Sequence, residues 1–196
     1  MQKRTPLYEE HLALGAKMVD FGGWAMPVNY GSQVEEHLAV RSNAGMFDVS
    51  HMTIVDISGT NSEGFLRKVL ANDVKRLSEN QALYSLMLNE TGGIIDDLIV
   101  YKLKDRYRCV FNGATESAVR SWITGFKSED VVLNFSRMVM IALQGPRAIE
   151  SLLSFESISG LEQLKSFFSM QFGSWLIAGT GYTGEDVLEI MLPEQE

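Results

Sequence analysis

One cysteine, Cys109, among 196 residues leaves nothing for an internal disulfide to close and excludes a cysteine-rich metal site. It stands in the apolar run Tyr107–Phe111, where a free thiol behaves as a small buried hydrophobe and not as a nucleophile. Histidine is scarce too. His11, His37 and His51 lie far apart with no metal-ligand spacing, so no metal is expected. No apolar run approaches the roughly 20 residues of a membrane span, and no membrane partner is expected. Positive charge is in deficit, 17 Lys and Arg against 25 Asp and Glu, for a formal net charge of −8. Neutralising a phosphate backbone takes the opposite excess, which speaks against nucleic acid. Arg67, Lys68, Lys75 and Arg76 form one loose basic grouping that reads as a solvated face. The start, Met1-Gln2-Lys3-Arg4-Thr5-Pro6, lacks the apolar core of a secretory signal, and a reduced, cytoplasmic setting is expected.

What the chain does have is periodicity. Its hydrophobic share of 45% is that of an ordinary globular chain, long enough for one large domain or two small ones. Ser32-Gln33-Val34-Glu35 has capping-box form and predicts a helix through Leu38 and Val40 that stops at Gly45. Thr53–Ser58 alternates Val55 and Ile57 with Asp56 and Ser58, as a half-buried strand does. Gly59 turns the chain, and Thr60-Asn61-Ser62-Glu63 repeats the capping pattern before a helix carrying Phe65, Leu66, Val69 and Leu70. Strands are predicted at 82–88, 94–101 and 107–111, a helix at 115–126, and strands at 131–135 and 138–143. That order is an α+β layer, close to a split βαβ unit with an added hairpin. Further on, Gly145-Pro146 opens a short helix, residues 172–178 and 187–192 read as strands, and 179–184 as a glycine-threonine loop. The end at Pro193-Glu194-Gln195-Glu196 falls where a helix is expected to begin and reads as a truncation.

Two features could carry chemistry. Gly179-Thr180-Gly181-Tyr182-Thr183-Gly184 fits the GxGxxG spacing, but a dinucleotide site needs a helix behind it and an acid about 20 residues on. A strand-like run follows instead, so the match reads as a turn able to offer amides. Asp96 and Asp97, between Gly92-Gly93 and an apolar run, are the stronger feature, because carboxylates in an apolar strand are costly unless paired. Either they end the turn in water or they form a site. Asp97 shares a face with Ile95, Ile99 and Tyr101, and Asp96 with Ile94, Leu98 and Val100, so parity does not choose between them. If Leu88 opposes Ile94, Asp97 meets Ser85 with Tyr84 beside it. If Lys102 opposes Tyr107, Asp97 meets Asn112. Registry therefore leans towards Asp97.

These residues sit among blocks that resemble the amino-terminal part of the glycine-cleavage T-protein, an aminomethyltransferase family. The blocks are Thr5-Pro6-Leu7-Tyr8, Gly15-Ala16-Lys17-Met18-Val19-Asp20-Phe21, Gly23-Trp24, Met26-Pro27, Tyr30, Gly45-Met46-Phe47-Asp48-Val49-Ser50-His51-Met52, Asn72-Asp73, Gly92-Gly93-Ile94-Ile95-Asp96-Asp97-Leu98, Gln144-Gly145-Pro146 and Thr180-Gly181-Tyr182-Thr183-Gly184-Glu185. The resemblance implies a three-domain cloverleaf. Residues 51–136 would form its ferredoxin-like α+β domain, and 1–50 with 137–196 an incomplete first domain. It implies transfer of a methylene carbon from the aminomethyl-lipoyl arm of H-protein to tetrahydrofolate, with release of ammonia. Tetrahydrofolate is then a co-substrate, lipoylated H-protein a partner, and the mitochondrial matrix the compartment in a eukaryote. On the same resemblance Asp97 is the essential acid, stabilising the positive charge that develops as the carbon–sulfur bond breaks. Tyr84, Val110 and Asn112 line the folate pocket, and Glu189 grips the pteridine, whose adjacent donors suit a bidentate carboxylate. Val187, where glycine is usual, and Gly113, where a slightly larger residue is usual, depart from the pattern. Related readings are a folate-binding regulatory protein of the same superfamily, or the folate domain of a sarcosine- or dimethylglycine-dehydrogenase relative.

Overall fold

The computed structural model describes residues 2–181 and 187–195, so residues 182–186, which include 182–184 of the glycine-threonine loop, lie outside the described residues. The chain divides into two compact units, one of Met1–His51 with Met138–Glu196 and one of Met52–Arg137.

The first unit opens with β1 (Lys3–Arg4), α1 (Tyr8–Ala13), β2 (Lys17–Phe21), β3 (Trp24–Asn29), α2 (Gln33–Ser42) and β4 (Gly45–Asp48). β3 lies between β1 and β2, with Gly22 and Gly23 at positive φ turning the β2–β3 hairpin. The predicted cap of α2 forms, with Ser32 Oγ accepting from the Glu35 amide at 3.3 Å. The helix ends earlier than its pattern suggests. Ser42 is its last residue and Gly45 starts β4, so Gly45 does not terminate the helix.

The second unit contains β5 (Thr53–Ser58), α3 (Ser62–Val69), β6 (Ala82–Leu88), β7 (Ile94–Lys102), β8 (Tyr107–Phe111), α4 (Glu116–Phe126) and β9 (Val132–Ser136). Its sheet order is β6-β7-β8-β5-β9, every neighbouring pair antiparallel. Without β6 this is the βαββαβ ferredoxin-like arrangement, and β6 adds a hairpin strand at the β7 edge. α3 begins one residue later than the capping pattern implies, with Asn61 at the N-cap and no side-chain cap bond. Gly59, at φ 106, passes so close to Asp130 that a Cβ would collide with its carbonyl.

One face of this sheet carries Val55, Leu83, Met87, Leu98, Val100, Cys109 and Phe111 against Phe65, Leu66 and Val69 of α3 and Val119 and Ile123 of α4. Complete burial of side chains such as Val119 and Ile123 stabilises the unit by about 1.5–3 kcal/mol each. The opposite face is buried as well, at Ile54, Ile99, Tyr101 and Val110. β5 is therefore no half-buried strand. It is central, and its Asp56 is neutralised by Arg108, cross-strand on β8, through bonds of 2.7 and 2.8 Å, and by Arg106 at 3.1 Å.

The chain returns to the first unit with β10 (Val139–Gln144), α5 (Ala148–Phe155), β11 (Phe168–Phe172), β12 (Trp175–Gly179) and β13 (Val187–Leu192), in the sheet order β11-β12-β13-β10-β4. The strand predicted at 172–178 begins only at Trp175, because Gly173 takes a positive φ of 57° and reverses the chain after Phe172, the last residue of β11. Ile177, Leu188, Ile190 and Val139 pack with Leu152 of α5 and Leu161 in this unit's core.

Candidate functional site

The two adjacent acids take opposite sides of β7, and the hairpin before them decides how. Asn89 Oδ1 accepts from the amides of Thr91 and Gly93, at 3.0 and 2.7 Å, and closes the loop onto itself. Leu88 opposes Ile94 as the sequence suggested, but Met87 then opposes Asp96, so Ile95 is an extra residue in a β-bulge. The bulge corrects the expected registry by one. Asp97 lies opposite Leu86, and Ser85 lies opposite Leu98 on the helix-covered face, fully buried. Across the other edge of β7, Lys102 does oppose Tyr107, and Leu98–Phe111 is the last ladder pair, which brings Asn112 beside Asp97.

Around Asp97 the structure gathers a phenol and an amide. The Tyr84 hydroxyl donates to Asp97 Oδ2 at 3.0 Å, and Asn112 Nδ2 donates to Asp97 Oδ1 at 3.0 Å and to its carbonyl at 3.2 Å. Asp97 and Tyr84 are both exposed, Tyr84 at 38%. Donation to Asp97, followed by partial burial and the charges of Asp97 and Asp96, raises the Tyr84 phenol above its ordinary value. Asp96 is the opposite case, only 4% exposed and held by the Asn112 backbone amide at 3.0 Å and by Nδ2 at 2.8 Å. Val110, cross-strand from Ile99, is buried with it on the Asp97 side of the sheet. Tyr84, Asp97, Val110 and Asn112 thus occupy one region of one unit.

Glu189 stands in the other unit, on β13, between Ala178 of β12 and Ala142 of β10. It projects from the face opposite that unit's Leu188–Ile190 core, and its two neighbours are the smallest side chains available to flank a carboxylate.

The first unit holds a second polar cluster that no sequence pattern signals. His11 Nε2 meets Asp48 Oδ2 at 2.9 Å, Tyr30 Oη meets His11 Nδ1 at 2.7 Å, and the Ser50 amide donates to Asp48 Oδ1 at 2.9 Å. A carboxylate only accepts, so Nε2 carries the hydrogen, and the unprotonated Nδ1 of that tautomer accepts from the Tyr30 hydroxyl. His11 and Asp48 are 37 residues apart, a separation no local pattern detects. Among the described residues no group of three His, Cys, Asp or Glu converges on a point that could hold a metal.

Residues 7–196 match the family described as the GCVT N-terminal domain. Over the whole chain, an aminomethyltransferase of Alcanivorax borkumensis is 52% identical and one of Pseudomonas syringae pv. tomato also 52%; in each case the chain covers 56% of the relative. The chain therefore spans about half the length of the curated relatives it matches. The crystal structure of the glycine cleavage system aminomethyltransferase T from Bartonella henselae superposes with a TM-score of 0.93 at 36% identity, covering 100% of this chain and 55% of that one. A heterotetrameric sarcosine oxidase from Corynebacterium sp. U-96 shares the fold at a TM-score of 0.61 and 12% identity, over 98% of this chain and 88% of that one.

Proposed function

Because the chain belongs to the GCVT N-terminal domain family, we propose that it forms the folate-handling part of a glycine cleavage aminomethyltransferase. The complete enzyme would pass the methylene carbon from aminomethyl-lipoyl H-protein to tetrahydrofolate and release ammonia. The observation that carries this reading is Asp97, an exposed carboxylate held between the Tyr84 hydroxyl and the Asn112 amide at the end of the Ile99–Val110 strip.

Tetrahydrofolate joins a pterin edged with N–H donors to an apolar aryl ring. An exposed acid beside an amide, with a buried apolar strip behind it, suits both properties. Asp97 accepts a hydrogen bond or a proton from the reacting nitrogen region and places negative charge where positive charge develops. Proton transfer through such a group contributes roughly 10²–10⁴-fold. Tyr84 and Asn112 orient the carboxylate and line the pocket, and Val110 shapes its apolar side. Glu189, flanked by Ala142 and Ala178, is assigned to the pteridine donors. Lipoylated H-protein is the proposed protein partner, tetrahydrofolate the co-substrate and the cytoplasm the compartment.

Calorimetric titration of tetrahydrofolate into the chain, with the Alcanivorax borkumensis enzyme as reference, tests the assignment. Saturable binding that Asn112→Ala weakens supports it, and absence of binding to the chain while the reference binds overturns it. Binding without ammonia release favours a non-catalytic, folate-binding role. In a chain completed to its relatives' length, Asp97→Asn is expected to abolish ammonia release while Asp96→Asn retains measurable turnover. Equal loss in both would sink the choice of Asp97.

A further inference from the structure

Neighbouring residues on a strand point to opposite faces and ordinarily serve unrelated surroundings. Asp96 and Asp97 do not, because both end on the same amide. Asp96 lies cross-strand from Met87 and beside Leu98, a setting in which an ionised carboxylate is tolerated only when its oxygens are hydrogen-bonded. Its two oxygens take two donors, and both belong to Asn112: the backbone N–H at 3.0 Å and Nδ2 at 2.8 Å. An acid needed only to anchor the start of the turn before α4 would require the backbone N–H alone. The grip on the side chain is additional, and its consequence lies across the strand.

A carboxamide has a donor end and an acceptor end of nearly equal size, and its surroundings choose between them. Here Asp96 Oδ1, Asp97 Oδ1 and the Asp97 carbonyl all accept, so only the NH2 end can face them. The two Nδ2 hydrogens serve all three oxygens, and the amide carbonyl is turned away from both acids. Asp97 is in turn fixed by one donor on each oxygen, Nδ2 on Oδ1 and the Tyr84 hydroxyl on Oδ2.

We infer that Asp96 is a positioning residue: it holds the Asn112 amide in the orientation that donates to Asp97, and so sets the geometry of the Asp97–Tyr84 pair. This rests on Asp97 being the reacting acid. Asp96 also sets the polarity beside Asp97, because it fixes that the NH2 end of the Asn112 amide faces that acid.

The test uses the chain itself and needs no folate, so its result is independent of whether the transferase reading survives. Asp96→Asn and Asp96→Ala remove the same charge, but asparagine keeps one carbonyl oxygen for Asn112 to bond. Any effect of charge or field is therefore common to both variants, and the difference between them reports the hydrogen bond. The Tyr84 phenol, raised by its bond to Asp97, is the reporter, followed by NMR of its ring carbons during an alkaline titration. Tyr84 is expected to titrate lower in Asp96→Ala than in Asp96→Asn, because Asp97 loses its second anchor and leaves the phenol. The Asn112 side-chain protons should exchange about tenfold faster in the alanine variant, as loss of one hydrogen bond implies. A purely structural role for Asp96 would lower stability without separating the two Tyr84 titrations. Coincident titrations in the two folded variants overturn the inference. If Asp96→Ala loses its dispersed amide spectrum, Asp96→Leu takes its place, an apolar side chain suited to Met87 and Leu98 that cannot accept.

Discussion

Asp56→Ala should be among the most damaging single substitutions in the second unit, and the structure gives its size. Arg108, only 6% exposed, directs Nε and Nη2 at the two oxygens of Asp56 at 2.7 and 2.8 Å. At an effective dielectric constant of about 20, charges this close attract by roughly 6 kcal/mol, most of which is offset by the desolvation of both ions. Removing Asp56 forfeits the attraction but leaves the desolvated guanidinium in place. Arg106, with a third of its side chain exposed, can turn to water, whereas Arg108 cannot. The expected loss is about 3–5 kcal/mol, a large part of the roughly 5–15 kcal/mol that holds a domain together. The surface pair Arg67–Asp73 of the same unit, about half exposed on both sides, is the control, and Arg67→Ala should cost under about 1 kcal/mol. Urea unfolding followed by Trp122 fluorescence, with Trp24 and Trp175 replaced by phenylalanine, reports the second unit alone. The double variant Asp56→Leu/Arg108→Met should recover most of the loss, because neither ion then remains buried. A cost below about 1 kcal/mol for Asp56→Ala, matching Arg67→Ala, would refute the reasoning.

Two further expectations follow from titratable groups. Burial alone would push the Asp48 carboxyl up, but the donors of Ser50 and His11 outweigh it and hold the group below its ordinary 3.8. Such a depressed acid contributes stability that is present above about pH 3.8 and is lost as pH falls through the lower folded value. Asp48→Asn should therefore flatten the acid limb of the stability profile, as read by circular dichroism; an unchanged limb would count against the His11–Asp48 pairing. For Cys109, burial and then the Asp56 charge push the thiol far above its ordinary value. A thiol-specific chromogenic reagent at pH 8 should label it only as fast as the chain unfolds, and labelling within the mixing time would show that the site is open.

The sequence was most legible where periodicity is local. β5, β6, β8 and β13 fall on their apolar runs, and Ser32 caps α2 as its side chain requires. Outside α2, the first fifty residues were opaque because their elements are short and, apart from β3, mostly unburied, so no repeating apolar face marks them. At the candidate site, the Asn112–Asp97 neighbourhood followed from counting residues across the β7–β8 turn. The Ser85–Asp97 pairing failed because a bulge is invisible to parity, and one inserted residue exchanged the two faces. The distinct environments of Asp96 and Asp97 were equally beyond pattern. They depend on a backbone N–H of Asn112, a donor every residue type but proline carries.

The Asn112–Gly113 step also bears on how the protein ages. An asparagine followed by glycine is prone to cyclise, because no side chain shields the backbone nitrogen that attacks the carboxamide. The product is an aspartate or isoaspartate. At position 112 either would set a third carboxylate against two existing ones, turning a bridge into a repulsion. Cyclisation requires the carboxamide to swing towards the Gly113 nitrogen, and the bonds from Nδ2 to both acids hold it away. The same contacts that orient the amide thus slow its chemical decay. Isoaspartate accumulating at residue 112 in stored protein would measure how firmly that clamp is kept.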